Sequence, residues 1–140
     1  MTVYFDSSVV LRKVLGQEGC LAEWDAQSRG CSSALTRLEC ARTLDRARLT
    51  GTWSAETLFE YQSAVDRLLG SFDELEISST VLARARLPLT MPLTTLDALH
   101  LSSALLWHEL HPNTKFSLAT HDRALGRAAR IMGLTVIGID

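Results

Sequence analysis

Short apolar strands alternating with amphipathic helices along 140 residues predict an α/β domain, a central and mostly parallel sheet with helices on both faces. Three observations carry this reading. The chain opens on an apolar run, Thr2 to Phe5, that stops abruptly at Asp6-Ser7-Ser8. A second run, Phe116 to Ala119, stops in the same way at Thr120-His121-Asp122. Each run is followed by residues spaced at a helical period, the order expected of strand–helix units in a parallel sheet.

The elements follow in order. Thr2 to Phe5 is a strand of β-branched and aromatic residues, apolar enough to be central and covered on both sides. Ser7 or Ser8 caps a helix running through Val9 to Leu15, which Gly16 to Gly19 breaks. Cys20, Leu21, Trp24 and Ala26 give a second helical spacing over Cys20 to Ser28, ended by Gly30. Cys31 to Ala34 is a weak strand leading into a helix from Thr36 to Leu49, with Leu35, Leu38, Ala41 and Leu44 as its apolar face. Ser54 caps the next helix, which presents Leu58, Tyr61, Val65, Leu68 and Leu69 and closes at Gly70. Phe72 to Ile77 alternates apolar and acidic residues as a short edge strand does, and Ser79 to Leu87 is helical. Pro88 and Pro92 make the stretch between them an irregular loop. Thr94 or Thr95 caps a helix from Leu96 to Leu110, stopped by His111-Pro112. After the Phe116–Ala119 strand a helix runs to Met132, Gly133 caps it, and Leu134 to Ile139 is the last strand.

Composition narrows the class. Hydrophobic content of 46% with 21% charged residues belongs to a globular chain, with no repeat and no linker, so a single domain over residues 1–140 is expected. An acid arrives at position 6, before a signal-peptide apolar region could form, and no apolar stretch is long enough to cross a bilayer, which implies a cytoplasmic protein with no membrane partner. Cys20, Cys31 and Cys40 are odd in number and lack a CxxC pair; reduced, buried thiols are expected. Twelve of the 14 cations are arginine, clustered at Arg37, Arg42, Arg46 and Arg48 and at Arg123, Arg127 and Arg130. They suit phosphate contacts or solvated helix faces equally, and the net charge of −2 does not by itself mark a nucleic-acid binder.

In open parallel sheets the ligand site lies beyond the carboxyl ends of the strands. Four acids map there: Asp6 after the first strand, Glu39 early in the helix after the second, Asp97 in a first helical turn, and Asp122 after the Phe116–Ala119 strand. Each has an ordinary explanation on its own, as a cap, a turn residue or a complement to a helix dipole. Together in a dry cleft they would repel, so they either take up protons or gather round a cation. Oxygen-only ligands suit magnesium, and the absence of Cys/His pairs at metal spacing argues against zinc. His108-Glu109-Leu110-His111 is one residue short of the spacing that puts two imidazoles on one helical face. His100 and His121 each neighbour a proposed acid, and Trp24, Trp53 and Trp107 are expected in the core or on a dimer surface.

These motifs resemble a known family. Val3-Tyr4-Phe5-Asp6-Ser7-Ser8, Ser33-Ala34-Leu35-Thr36-Arg37-Leu38-Glu39, the stretch from Thr95 through Asp97 and His100 to Ala104, and Leu118-Ala119-Thr120-His121-Asp122-Arg123-Ala124-Leu125 are together similar to PIN-domain ribonucleases. Specifically they resemble VapC-type toxins of bacterial type II toxin–antitoxin systems. The resemblance spans residues 2 to 139, and Phe116 stands where an additional acid could enter the late strand. It implies a PIN-like three-layer fold and a Mg2+-dependent endoribonuclease, with Mn2+ a possible substitute. Asp6 and Asp97 would be the principal metal ligands, Glu39 and Asp122 would complete the pocket, and Ser7 and Thr120 would be supporting hydroxyls. It further implies an RNA substrate, a homodimer, and a VapB-type antitoxin that sends an Arg-bearing segment towards the acids. A non-catalytic PIN-like module that binds RNA or protein is the alternative. A receiver domain or a haloacid-type phosphatase fits less well: Ser8 replaces the second acid of Asp-x-Asp, and neither Lys13 nor Lys115 ends a late strand.

Overall fold

A computed structural model describes residues 1–21, 24 and 28–140. Among these the strands are β1 (Thr2–Phe5), β2 (Arg29–Ser33), β3 (Asp73–Leu75), β4 (Phe116–Ala119) and β5 (Thr135–Ile137). The helices are α1 (Ser7–Val14), α2 (Ala34–Leu49), α3 (Ala55–Leu69), α4 (Ser79–Ala85), α5 (Thr95–Leu110) and α6 (Arg123–Ile131). The five strands form one sheet in the order β3-β2-β1-β4-β5, and every pairing is parallel. The expected mostly parallel sheet is thus wholly parallel, and β1 is its central strand.

Strand order fixes the layers. The chain steps outward from β1 through β2 to β3, then returns across the sheet to β4 and β5. Parallel crossovers are right-handed, so reversing the direction of travel moves the connecting helices to the other face. Accordingly α1, α2 and α3 pack together on one side, and α4, α5 and α6 on the other. Strand alternation divides the core to match. Val3 and Phe5 face Val9, Val10, Cys40, Leu44, Val65 and Leu69, while Tyr4 faces Leu101, Leu105, Leu125 and Ala129.

Local chemistry sets the ends. Ser33, Ser54, Ser78 and Thr94 cap α2, α3, α4 and α5, each hydroxyl accepting a backbone N–H of the first turn. Phe5, Trp24 and Phe72 stack in turn, with ring centroids 4.4 Å and 5.1 Å from that of Phe5. A Cβ on Gly30 would lie 2.5 Å from the Phe72 ring, so only glycine admits that ring against β2. Cys31 and Cys40 are buried, Cys20 is partly exposed, and all three are free thiols. Burial pushes the two inner thiols up to about 12, which keeps them protonated and unreactive.

Three expectations need correction or restriction. The cap of α1 is Asp6, not Ser7 or Ser8: its carboxylate accepts the Val9 N–H. The buried stripe of α2 is Thr36, Cys40 and Leu44, whereas Leu38 is exposed, because it stands two residues from both Thr36 and Cys40 and so on the opposite side of the helix. The helix expected over Cys20 to Ser28 lies largely outside the described residues. Trp53 packs on Tyr61 and Trp107 on Phe116, in the core roles expected of them. Among the described residues no helix is long and apolar enough to cross a membrane.

Candidate active site

The order β3-β2-β1-β4-β5 reverses between β1 and β4, and a crevice forms beyond the carboxyl ends of strands at such a reversal. Asp6 and Thr120 are the first residues past β1 and β4. In-register pairing from Thr2 with Phe116 to Phe5 with Ala119 brings the two strand ends level. The Asp6 N–H donates to the Ala119 carbonyl (3.3 Å) and the Thr120 N–H to that of Ile137 (3.1 Å), fixing both residues beside one another.

Asp6 is 4% exposed, and three donors hold its carboxylate. Oδ1 accepts from the Ser8 hydroxyl (2.6 Å) and the Val9 N–H (3.2 Å), and Oδ2 accepts from the Thr120 hydroxyl (2.6 Å). Burial pushes the Asp6 carboxyl above its ordinary range, while the two hydroxyls and the nearby His100 pull the other way. Thr120 Oγ1 in turn accepts the Asp122 N–H (2.9 Å), and Ser8 Oγ accepts the His121 N–H (3.0 Å). The hydroxyls that hold Asp6 are therefore those of Thr120 and of Ser8, the latter in the place given to Ser7. The His121 N–H, from the turn after β4, anchors Ser8 Oγ and so sets the choice.

Asp122 caps α6 through Oδ1, which accepts the Leu125 N–H (3.0 Å). Asp97 is in the first turn of α5, its N–H held by the capping Thr94 hydroxyl (3.2 Å). Half-buried, Asp97 is raised chiefly by that burial and further by the charges of Asp122 and Asp6. Asp97 thus senses the charges of the other two aspartates across the crevice. Glu39 stands apart: its Oε1 meets the Nε2 of His100 at 2.5 Å, and the His100 Nδ1 lies 2.7 Å from the Tyr4 hydroxyl. The structure thus brings together Asp6, Asp97 and Asp122, and joins Glu39 to them through His100.

Oxygen-only donors of this kind fit a hard divalent cation, and an ion here would relieve the strain that burial and repulsion place on Asp6 and Asp97. Among the described residues no three acidic, histidine or cysteine side chains stand close enough to enclose an ion by themselves. The fit is to an ion held by one or two carboxylates and otherwise by water, the usual state of magnesium. Basic partners are fewer than sequence suggests. Arg37 pairs with Asp66, and Arg42 and Arg48 both pair with Asp45, so those arginines are occupied on the α2–α3 surface.

Sequence reading gave no role to Tyr4 and marked His100 as the neighbour of a proposed acid. Two signals were present: Tyr4 carries a hydroxyl between two apolar neighbours of a buried strand, and His100 follows Asp97 by three positions on the same helical face.

Comparisons with known proteins complete the description. A family model described as PIN domain matches residues 3–131. Ribonuclease VapC35 of Mycobacterium tuberculosis is 26% identical, the match covering 96% of this chain and 95% of the relative. The crystal structure of VapBC2 from Rickettsia felis, bound to a DNA fragment from their promoter, superposes with a TM-score of 0.67 at 11% identity and covers 97% of each chain. A toxin–antitoxin complex from Klebsiella pneumoniae gives a TM-score of 0.56 at 18% identity, covering 99% of this chain and 95% of that one. The likeness to both solved structures is one of fold.

Proposed function

Given that the chain belongs to the PIN domain family, we propose that it is a Mg2+-dependent endoribonuclease, the toxin of a toxin–antitoxin pair. The observation that carries this reading is the trio Asp6, Asp97 and Asp122 at the sheet's reversal point, two of them held above their ordinary carboxyl range. Acids so placed disfavour their own ionised form, and a divalent cation offsets that cost. The relative named as a ribonuclease supports RNA as substrate.

In this reading Asp6 and Asp97 hold the ion, Mg2+ or Mn2+, and Asp122 and Glu39 complete the pocket. The bound ion supplies the means to lower the pKa of water and to offset charge on the phosphate. The protein's own contribution is placement. Thr120 and Ser8 fix both oxygens of Asp6, the α5 cap fixes the backbone at Asp97, and the dry floor under Asp6 keeps the pocket's charges unscreened. A VapB-type antitoxin and a homodimer are the partners, the first supported by the toxin–antitoxin complexes that share this fold.

The second reading, a non-catalytic PIN-like module that binds RNA or protein, draws on the lack of three acids close enough to enclose an ion. Incubating total cellular RNA with the purified, antitoxin-free protein separates the two. Discrete fragments that require Mg2+, vanish with EDTA and vanish in Asp6→Asn support the nuclease. Intact RNA from well-folded protein under every metal condition supports the binding module.

A further inference from the structure

Beneath the pocket runs a buried polar chain that the trio of aspartates does not use. Tyr4, on β1, is fully buried and His100, on α5, is 2% exposed. The tyrosine hydroxyl lies 2.7 Å from Nδ1 of His100, the rings meet edge to face at 78°, and Nε2 lies 2.5 Å from Oε1 of Glu39 on α2. We propose that Tyr4 and His100 are positioning residues that set the orientation of the Glu39 carboxylate towards the acidic pocket. The inference rests on the nuclease reading above.

The direction of each bond follows from donor and acceptor chemistry. A carboxylate only accepts, so Nε2 carries the proton. In a neutral ring Nδ1 is then an acceptor, and the tyrosine hydroxyl donates to it. Each link thereby fixes the next, from the core outwards. The chain ends on a side chain that is 19% exposed, dry on the His100 side and open on the other. A tyrosine–histidine pair in a core needs only a backbone carbonyl to be satisfied. Here it spans the sheet's central strand and both helical layers to reach an acid. Glu39 is a long side chain with free rotamers, and a group that orients a metal-binding carboxylate typically changes metal affinity or activity about 10–100-fold.

Tyr4→Phe is the decisive variant, because it keeps the ring in the core and touches neither Glu39, metal nor RNA. His100→Gln retains an amide donor and His100→Leu does not. In metal-free wild-type protein at fixed pH, 15N NMR of the His100 ring should show the Nε2–H tautomer, with a downfield proton that moves in Glu39→Gln. Mn2+ affinity by electron paramagnetic resonance, or kcat on RNA with KM little changed, should fall about 10–100-fold in Tyr4→Phe and His100→Leu and recover in part in His100→Gln. Tyr4→Phe should add nothing in a Glu39→Gln background, since the effect passes through that carboxylate. The proposal is overturned by an Nδ1–H tautomer, by unchanged Mn2+ affinity and kcat in folded Tyr4→Phe, or by additive losses with Glu39→Gln. Wild-type protein that neither binds Mn2+ nor cuts RNA sinks the nuclease reading, and the positioning role with it, while the tautomer separately decides whether the hydrogen-bonded chain exists.

Discussion

Replacing Thr120 with valine removes one hydroxyl and changes the shape of the core almost not at all. That hydroxyl donates to Asp6 Oδ2 (2.6 Å) and accepts the Asp122 N–H (2.9 Å), in a residue with no exposed surface. A hydrogen bond to a charged group is worth about 1.5–3 kcal/mol, and an orphaned amide that water partly reaches adds a smaller cost, so the variant should lose ~2–4 kcal/mol at neutral pH. For a chain of this size that lowers Tm by roughly 6–16 °C. The loss also has a pH signature. Burial raises Asp6 above its unfolded value, so its contribution to stability is fullest below about pH 4 and declines as pH rises through the folded value. Without the Thr120 hydroxyl the folded value climbs further, and the variant loses more on the same rise. Thermal unfolding followed by circular dichroism in EDTA, from acid to neutral pH, should therefore show a gap between the two proteins that widens with pH. A gap that is the same at every pH, or a drop below ~1 kcal/mol at neutral pH, would mean that Asp6 is not a buried carboxylate held by Thr120.

Further outcomes are expected. Asp97→Asn should abolish RNA cleavage yet raise the Tm of metal-free protein slightly, by a margin that grows with pH, because the raised carboxyl it removes is disfavoured once ionised; an unchanged or lower Tm would place Asp97 outside the repelling set. Mg2+ or Mn2+ at about 100 times its Kd should add ~2.7 kcal/mol of stability, reversed by EDTA, and a flat melting curve across metal concentrations would leave the acids without an ion. Gly138→Ala should lower both Tm and activity, since Gly138 has φ +95° and a Cβ there would lie 2.5 Å from the Thr120 carbonyl oxygen. Wild-type activity in that variant would show that the C-terminal strand does not steady the Asp6 support.

Some of this was legible in sequence for a plain reason: the signals are local. An apolar run ending at Asp6, the capping Thr94, and the turn at Thr120 each declare themselves within a few residues. What stayed hidden depends on partners far along the chain. Nothing local distinguishes Ser7 from Ser8 as the hydroxyl that supports Asp6, because the choice rests on the His121 N–H, 113 positions away. Likewise Arg37 suited a phosphate contact and a solvated helix face equally until Asp66, on the next helix, took it up. Glu39 was placed among the acids by its position early in the helix after β2, but its carboxylate turns to a histidine 61 residues later. Leu38 seemed to belong to the core face of α2 because Leu35, Leu38 and Ala41 recur at a helical spacing, but the side packed on the sheet is that of Thr36, Cys40 and Leu44.

The central place of β1 has a consequence for the order of events during synthesis. Asp6 is made 114 residues before the hydroxyl that steadies it, and the strand leading to that hydroxyl lines up directly beside β1. At about 5–20 residues per second a ribosome takes some ~6–23 s to bridge that interval. Throughout it the nascent chain holds an aspartate with no Thr120 beside it and a sheet whose middle strand still lacks one neighbour. A protein proposed to cut RNA is thus assembled so that its pocket closes only once β4 and Thr120 have joined β1.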